Sequence, residues 1–292
     1  MIDLLLPFYG DPGLMRLTVR SVQAQTSSDF RLVVLDDAYP DPEVARWFAE
    51  LEDPRVEYHR NSTNLGVNGN FTQALSLAHA EHIVFLGCDD LLEPGYVETV
   101  TTALREHPGV SVVAPTVQVI DAAGLPTEPL VDRVKRFLKP RVRRATRVSG
   151  QAALVSLLRG NWAYFPSLCW RRDLVTAVGF RPEFGVVLDL GLLVDVLSGG
   201  GDLLLLPEAL FRYRRHSRSE SAVKTQDRAR FEEEHRLFQV MAQELHRRGL
   251  HRAARASQWH LTSRLHTASL LPAALRRGDL VAARHLLRHT AR

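Results

Sequence analysis

Five short apolar runs in the first 120 or so residues, separated by helix-patterned segments, constrain this chain more than any other feature. Ile2–Leu6, Arg31–Leu35, Val56–His59, His82–Leu86 and Val110–Ala114 are rich in Val, Ile and Leu, as buried strands are. Between them Leu14–Gln25, Pro42–Leu51, Asn68–His79 and Pro94–Glu106 read as helices. Strand–helix alternation marks βαβ units. The expected class is therefore α/β, with a mostly parallel sheet flanked by helices on both faces.

Ligands of such sheets bind beyond the carboxyl ends of the strands, so the residues following each run matter most. They are Pro7-Phe8-Tyr9-Gly10-Asp11, Asp36-Asp37-Ala38-Tyr39, Asn61-Ser62-Thr63-Asn64-Leu65-Gly66 and Gly87-Cys88-Asp89-Asp90. Carboxylates and amides thus gather on one rim, with capacity for a hard cation. Each acidic pair has two readings. Asp89-Asp90 holds Mg²⁺ or Mn²⁺ against a diphosphate, or caps the helix that Pro94 opens. Asp36-Asp37 reads a nucleobase or ribose, or shapes a turn. Caps alone account poorly for two such pairs on one rim.

Composition narrows the class further. The 292 residues are 45% hydrophobic and 24% charged, an ordinary globular balance. The two cysteines, Cys88 and Cys169, exclude a disulfide scaffold. No apolar run approaches the ~18 residues of a membrane span, and Met1 leads into Ile2–Leu6 without a signal peptide's basic region. The expectation is a soluble, cytoplasmic protein, at most peripheral at the inner membrane surface. Net charge is +4, but residues 225–292 carry 13 arginines against 6 acidic residues. No nucleic-acid motif accompanies that excess, so nucleic acid is not an expected partner.

Beyond Asp121 the periodicity fades into a long connection broken by Pro126, Pro129 and Pro140, with eight basic residues from Arg133 to Arg147. It reads as a solvated loop or as a surface for donor phosphates or an anionic acceptor. A helix near Gln151–Leu158, a strand near Tyr164–Trp170, a helix around Leu188–Leu197 and strands Asp202–Leu206 and Ala209–Arg214 follow. From about Lys224 the pattern is helical. Gly199-Gly200-Gly201 lacks a phosphate-loop ending and reads as a turn. Trp162, Tyr164 and Phe165 suit either an acceptor site or the core. Asp189, acidic in an apolar stretch, is either a helix cap or a base whose pKa apolar surroundings raise; Asp195 is the second choice. His285 and His289 lack a third ligand and read as surface residues.

The order Pro7-Phe8-Tyr9, Val34-Leu35-Asp36-Asp37, Asn64-Leu65-Gly66, Phe85-Leu86-Gly87-Cys88-Asp89-Asp90 and Pro94-Gly95 resembles that of family-2 glycosyltransferases of the GT-A fold. Val178-Gly179-Phe180-Arg181-Pro182, Leu188-Asp189-Leu190 and Tyr213-Arg214-Arg215-His216-Ser217 extend the resemblance over roughly residues 1–222. It implies inverting transfer of a sugar from a nucleotide diphosphate donor, UDP- or dTDP-linked, to a carbohydrate or other hydroxyl-bearing acceptor. By position, Pro7, Phe8 and Tyr9 form the nucleobase wall, Asp37 reads the base, and Asn64 and Gly66 form the donor-side loop. Asp89 is the last aspartate of the metal-binding Asp-x-Asp motif, extended by Asp90. His216 falls where some members place a histidine metal ligand, and Asp189 where the family has its catalytic carboxylate. One position departs from the pattern: the motif's first aspartate is Gly87 here.

The resemblance also implies a division into residues 1–222 and a helical C-terminal extension, 223–292. Within the first part, about 1–120 is the donor half and 121–222 the acceptor half. The leucines of the extension suit core cover or a homodimer. Two alternatives stay open: a polyprenyl-phosphate glycosyltransferase at the membrane surface, and a non-catalytic nucleotide-sugar-binding subunit, which Gly87 keeps in play.

Overall fold

The structure is a computed structural model that describes residues 1–185, 187–216 and 228–259. Ser217, Leu261, Leu271, His285, Leu287 and His289 lie outside the described residues. Strand β1 (Ile2–Phe8) is buried along its whole length, between β2 (Phe30–Asp36) and β4 (His82–Phe85), both parallel to it; β3 (Val56–Arg60) extends the sheet beyond β2. Helices α1 (Pro12–Gln23), α2 (Glu43–Ala49), α3 (Gly66–Ser76) and α4 (Tyr96–Glu106) complete this half.

Pleating sends successive side chains to opposite faces, so Leu5, Val33 and Phe85 enter one apolar layer, and Leu4, Leu6 and Val34 the other. That double burial is why these strands are continuous apolar runs rather than alternating ones. Register sets Phe8 opposite Asp36, so the loops that follow β1 and β2 open on the same rim. Asp11 caps α1 by accepting from Gly13 N and Leu14 N.

The second half is mixed. Strand β8 (Cys169–Arg171) lies antiparallel between β4 and β6 (Val112–Ile120). On the far side of β6 runs β9 (Asp202–Arg214), parallel to it, with β5 (Leu91–Leu92) and β7 (Thr146–Ser149) antiparallel on β9. The sheet order is β3-β2-β1-β4-β8-β6-β9-β5. The strands expected at Asp202–Leu206 and Ala209–Arg214 are one strand, whose register against β6 shifts beside Thr116. The strand expected near Tyr164–Trp170 is a 3-10 turn, Phe165–Ser167, followed by β8; Pro166 has no N–H to give a ladder.

The expected loop from Asp121 to Gly150 instead holds α5 (Leu130–Leu138) and β7. Helix α5 is turned inside out. Its buried residue is Asp132, which accepts two hydrogen bonds from the Arg215 guanidinium and one from the Tyr164 hydroxyl at 2.8 Å. Lys135 donates to Ala163 O, and Lys139 to Pro115 O. Burial alone lowers the Lys139 ammonium to about 8. Asp132→Ala should therefore destabilise the protein by about 3 kcal/mol, because it strands the Arg215 charge in a half-buried site. Chemical denaturation read by circular dichroism measures that loss.

Helix α6 (Gly150–Gly160), α7 (Arg172–Val178) and α8 (Leu188–Ser198) cover one face, joined by α9 (Arg228–Arg247) and α10 (His251–Trp259). Leu237, Phe238, Met241 and Leu245 of α9 share a core cluster with Leu5 and Val33 of the central strands. The described part of the C-terminal segment is thus continuous with the sheet's own core. Arg181 bonds both Asp195 and Glu244, tying α8 to α9. Asp195, the second choice as base, is engaged in that ion pair.

Candidate active site

The rim after β1–β4 carries an aspartate held in a polar cradle. Asp37 is buried, and its carboxylate accepts from Asn61 Nδ2 and Leu65 N, each at 2.8 Å, and from Gly66 N at 3.0 Å. Asn61 is steadied by Asn70 Oδ1, and Asn70 in turn donates to Leu35 O. Asp37 thus fixes the loop that opens α3. Gly66 there has φ +71°, a conformation that costs a glycine little. Asn64 is exposed and accepts from Gly66 N at 2.8 Å. The neighbouring Asp36 faces the other way, toward Tyr58, Arg60 and Tyr39 N. Burial and the Asp36 carboxylate push the Tyr58 phenol up to about 12.

The Pro7-Phe8-Tyr9 segment divides by burial. Pro7 and Phe8 are buried, and Phe8 packs into the core while its carbonyl accepts from Asp37 N. As a nucleobase wall, Phe8 is limited to its backbone. Tyr9 is half exposed, edge-on to Tyr39 at 5.7 Å, so these two rings form the aromatic surface on this rim.

A second cluster forms where the end of β9 meets the loop after β4. His216 Nε2 lies 2.8 Å from Asp89 Oδ2, although the two residues are 127 apart in the chain. Arg214 braces the same loop: its Nε donates to Asp89 O at 2.8 Å, and its backbone N to Asp90 Oδ1 at 2.8 Å. Asp90 is buried, and Thr18 Oγ1 donates to its carbonyl. Burial, followed by the adjacent Asp89 carboxylate, holds the Asp90 carboxyl well above the usual carboxylate range. Its side chain faces inward rather than into an open cleft, so Asp90 serves as a brace for the loop.

Gly87 has a steric cause. A Cβ built there would sit 2.5 Å from Asp90 Oδ2 and 3.3 Å from Asp89 Oδ1. Asp90 fills the room that a first motif aspartate would need. Gly87→Asp should therefore lose about 1–3 kcal/mol of stability through overpacking, with the crowded carboxylates adding charge repulsion. Thermal denaturation checks this. A stabilised, more active variant would contradict the packing argument.

Asp189 stands in the first turn of α8 and accepts from Leu190 N at 2.7 Å. The segment before it is fastened to the start of α3, since Asn68 Nδ2, two residues past Gly66, donates to Arg181 O and Phe184 O at 3.0 Å each. Trp162 and Phe165, weighed as acceptor residues, are core side chains. Tyr164 points its hydroxyl at Asp132. Among the described residues no three metal-ligating side chains converge. Asp89 and His216 are a two-ligand set that suits a cation otherwise held by substrate phosphates and water.

The glycosyl transferase family 2 model matches residues 3–156, more than half of the chain. The chain belongs to glycosyl transferase family 2. Its GT-A-like fold agrees with solved structures. Those include Staphylococcus aureus TarS 1–349 in complex with UDP-GlcNAc, with TM-score 0.66, 16% identity, and 84% of this chain and 66% of that one covered. They also include the mannosyltransferase PcManGT from Pyrobaculum calidifontis in complex with GDP-Man and Mn²⁺, with TM-score 0.60, 17% identity, and 99% and 79% covered. A curated relative, the Campylobacter jejuni GalNAc(5)-diNAcBac-PP-undecaprenol beta-1,3-glucosyltransferase, is 27% identical over 107 residues, which is 36% of this chain and 35% of that protein. Alignments to two further curated relatives span 13% and 60% of their lengths.

In this family-2 chain several supporting residues are not singled out as site residues by sequence. Asn61, Asn70, Thr18 and Arg214 hold the rim carboxylates in place. Asn70 lies on the buried face of α3 with Ala74, four residues on, a polar residue at an apolar-face position.

Proposed function

We propose that this chain transfers a sugar, with inversion at the anomeric carbon, from a UDP- or dTDP-linked donor to a hydroxyl of a carbohydrate or similar acceptor. The observation that carries this is the meeting of His216 and Asp89 on the rim that also holds the cradled Asp37. Two neighbours in complex with nucleotide sugars support the donor class. The Tyr9–Tyr39 surface and the Asp37 loop receive the nucleoside, and Asp89 lies toward the diphosphate.

Asp89 and His216 would hold the divalent cation, Mg²⁺ or Mn²⁺, which when bound offsets the charge gathering on the departing diphosphate. Asp189 takes the proton of the acceptor hydroxyl as that oxygen bonds to the anomeric carbon. The bond from the anomeric carbon to the diphosphate oxygen breaks on the opposite face, and the electron pair leaves with the nucleoside diphosphate. Asn68 contributes by holding the segment that precedes Asp189 against α3.

A thermal-shift panel of nucleotide sugars, with and without Mn²⁺, tests the donor assignment. A UDP- or dTDP-sugar should raise the melting midpoint, and Mn²⁺ should enlarge the rise. A panel in which no nucleotide sugar moves the midpoint would overturn it.

A further inference from the structure

Away from the rim, α5, α6 and α10 enclose an open groove of about 1050 Å³. We propose that this face is a docking surface for an anionic phospholipid bilayer. Helix α5 is the first observation. Its one buried residue is Asp132, bound to Arg215, and Lys135 reaches Ala163 O; Leu138 packs against the core, but the helix's other apolar residues stay outside. Leu130 is 66% exposed and Phe137 77%, with Val134 between them at helical spacing. Across the groove Trp259 is 66% exposed. A water-facing helix would gain nothing from that arrangement, whereas an interfacial helix needs it.

Charge selects the occupant. Arg133, Arg136, Arg141, Arg159, Arg252 and Arg255 line the groove; among the described residues no carboxylate lines it, and Arg136 is paired with Glu128 beside it. Residues 260–292 carry six arginines against one aspartate, so their composition offers these arginines no charge complement. A second copy would present the same arginines to this face across a two-fold axis. A leaflet rich in anionic headgroups satisfies both features at once: phosphates meet the guanidinium groups, and Phe137, Leu130 and Trp259 enter the acyl boundary. Two helices contribute, so attachment does not depend on one amphipathic segment. Among the described residues no helix is long and apolar enough to cross a membrane, and surface docking requires none. The inference is independent of the donor chemistry proposed above.

The test is sedimentation of the full chain with vesicles of phosphatidylglycerol and phosphatidylcholine in equal parts, against phosphatidylcholine alone. Binding should require the anionic lipid and weaken as salt rises. Each arginine near the surface contributes about a fivefold factor, so Arg133→Gln with Arg255→Gln should weaken binding about 25-fold. Phe137→Ser, at an exposed position, should weaken binding without changing the melting midpoint. Nucleotide-sugar binding of these variants should stay at the wild-type level, which separates this inference from the donor assignment.

Equal binding to both vesicle types, or none to anionic ones, would overturn it. So would a dimer in sedimentation velocity that Phe137→Ser dissociates. Shielding of Trp259 from acrylamide without lipid, read against a Trp259→Phe control, would assign the groove to the chain's own C-terminal residues instead.

Discussion

Asp189→Asn should lower sugar transfer by about 10²–10⁴-fold, the range a positioned general base contributes, while donor affinity stays near wild type. The split follows from placement. Asp189 lies in the first turn of α8, behind a segment that Asn68 fastens to α3, whereas the Asp37 loop is held by the Asp37 carboxylate and Asn61. Asparagine keeps the size of the side chain and its acceptor for Leu190 N, so the helix start is preserved. The capacity to take a proton is lost. Single-turnover transfer beside equilibrium titration of the donor separates the two effects. A variant that loses affinity and transfer in parallel would make Asp189 a structural cap.

The second large effect concerns Asp89. Asp89→Ala should abolish metal-dependent strengthening of donor binding and reduce transfer by a comparable factor. The change removes one of two converging ligands and leaves His216 without its partner at 2.8 Å. The loop itself should survive, because Arg214 holds it through the Asp89 carbonyl and through Asp90, neither of which the substitution removes. The melting midpoint without ligand is therefore expected to change little. Titration of Mn²⁺ by electron paramagnetic resonance in the presence of UDP reads the loss directly. Undiminished Mn²⁺ binding in Asp89→Ala would move the cation elsewhere.

The half of the fold that sequence exposed most clearly is the half governed by one strong rule. Strands buried on both faces must be apolar throughout, so β1, β2 and β4 stand out as runs, and the residues after them mark the rim. Helix α5 escaped detection because it lies between Pro129 and Pro140 in a stretch whose prolines read as a connection; which of its faces is buried follows from the tertiary contacts of Asp132. The break within β9 at Pro207-Glu208 suggested two strands, yet β6 absorbs it as a register shift.

The site divides in the same way. Residue types and order pointed to Asp37, Asp89, His216 and Asp189. Burial then separates roles that order alone leaves merged: Phe8 and Asp90 turn into the protein, whereas Tyr9 and part of Asp89 reach its surface. No local pattern states that Asp90 occupies the space beside Gly87, since that follows from the path of the loop and from Arg214, which arrives from a distant strand.

In the proposed function, carboxylates from the β4 loop and from α8 serve one donor cleft. Diffraction from crystals soaked with UDP and Mn²⁺, with the cation located by its anomalous signal, tests it most directly. The expected result is Mn²⁺ between Asp89, His216 and the diphosphate, with the uridine against Tyr9 and the Asp37 loop and the terminal phosphate open toward Asp189. Nucleotide bound away from Asp89, or Asp189 walled off from the diphosphate, would contradict it.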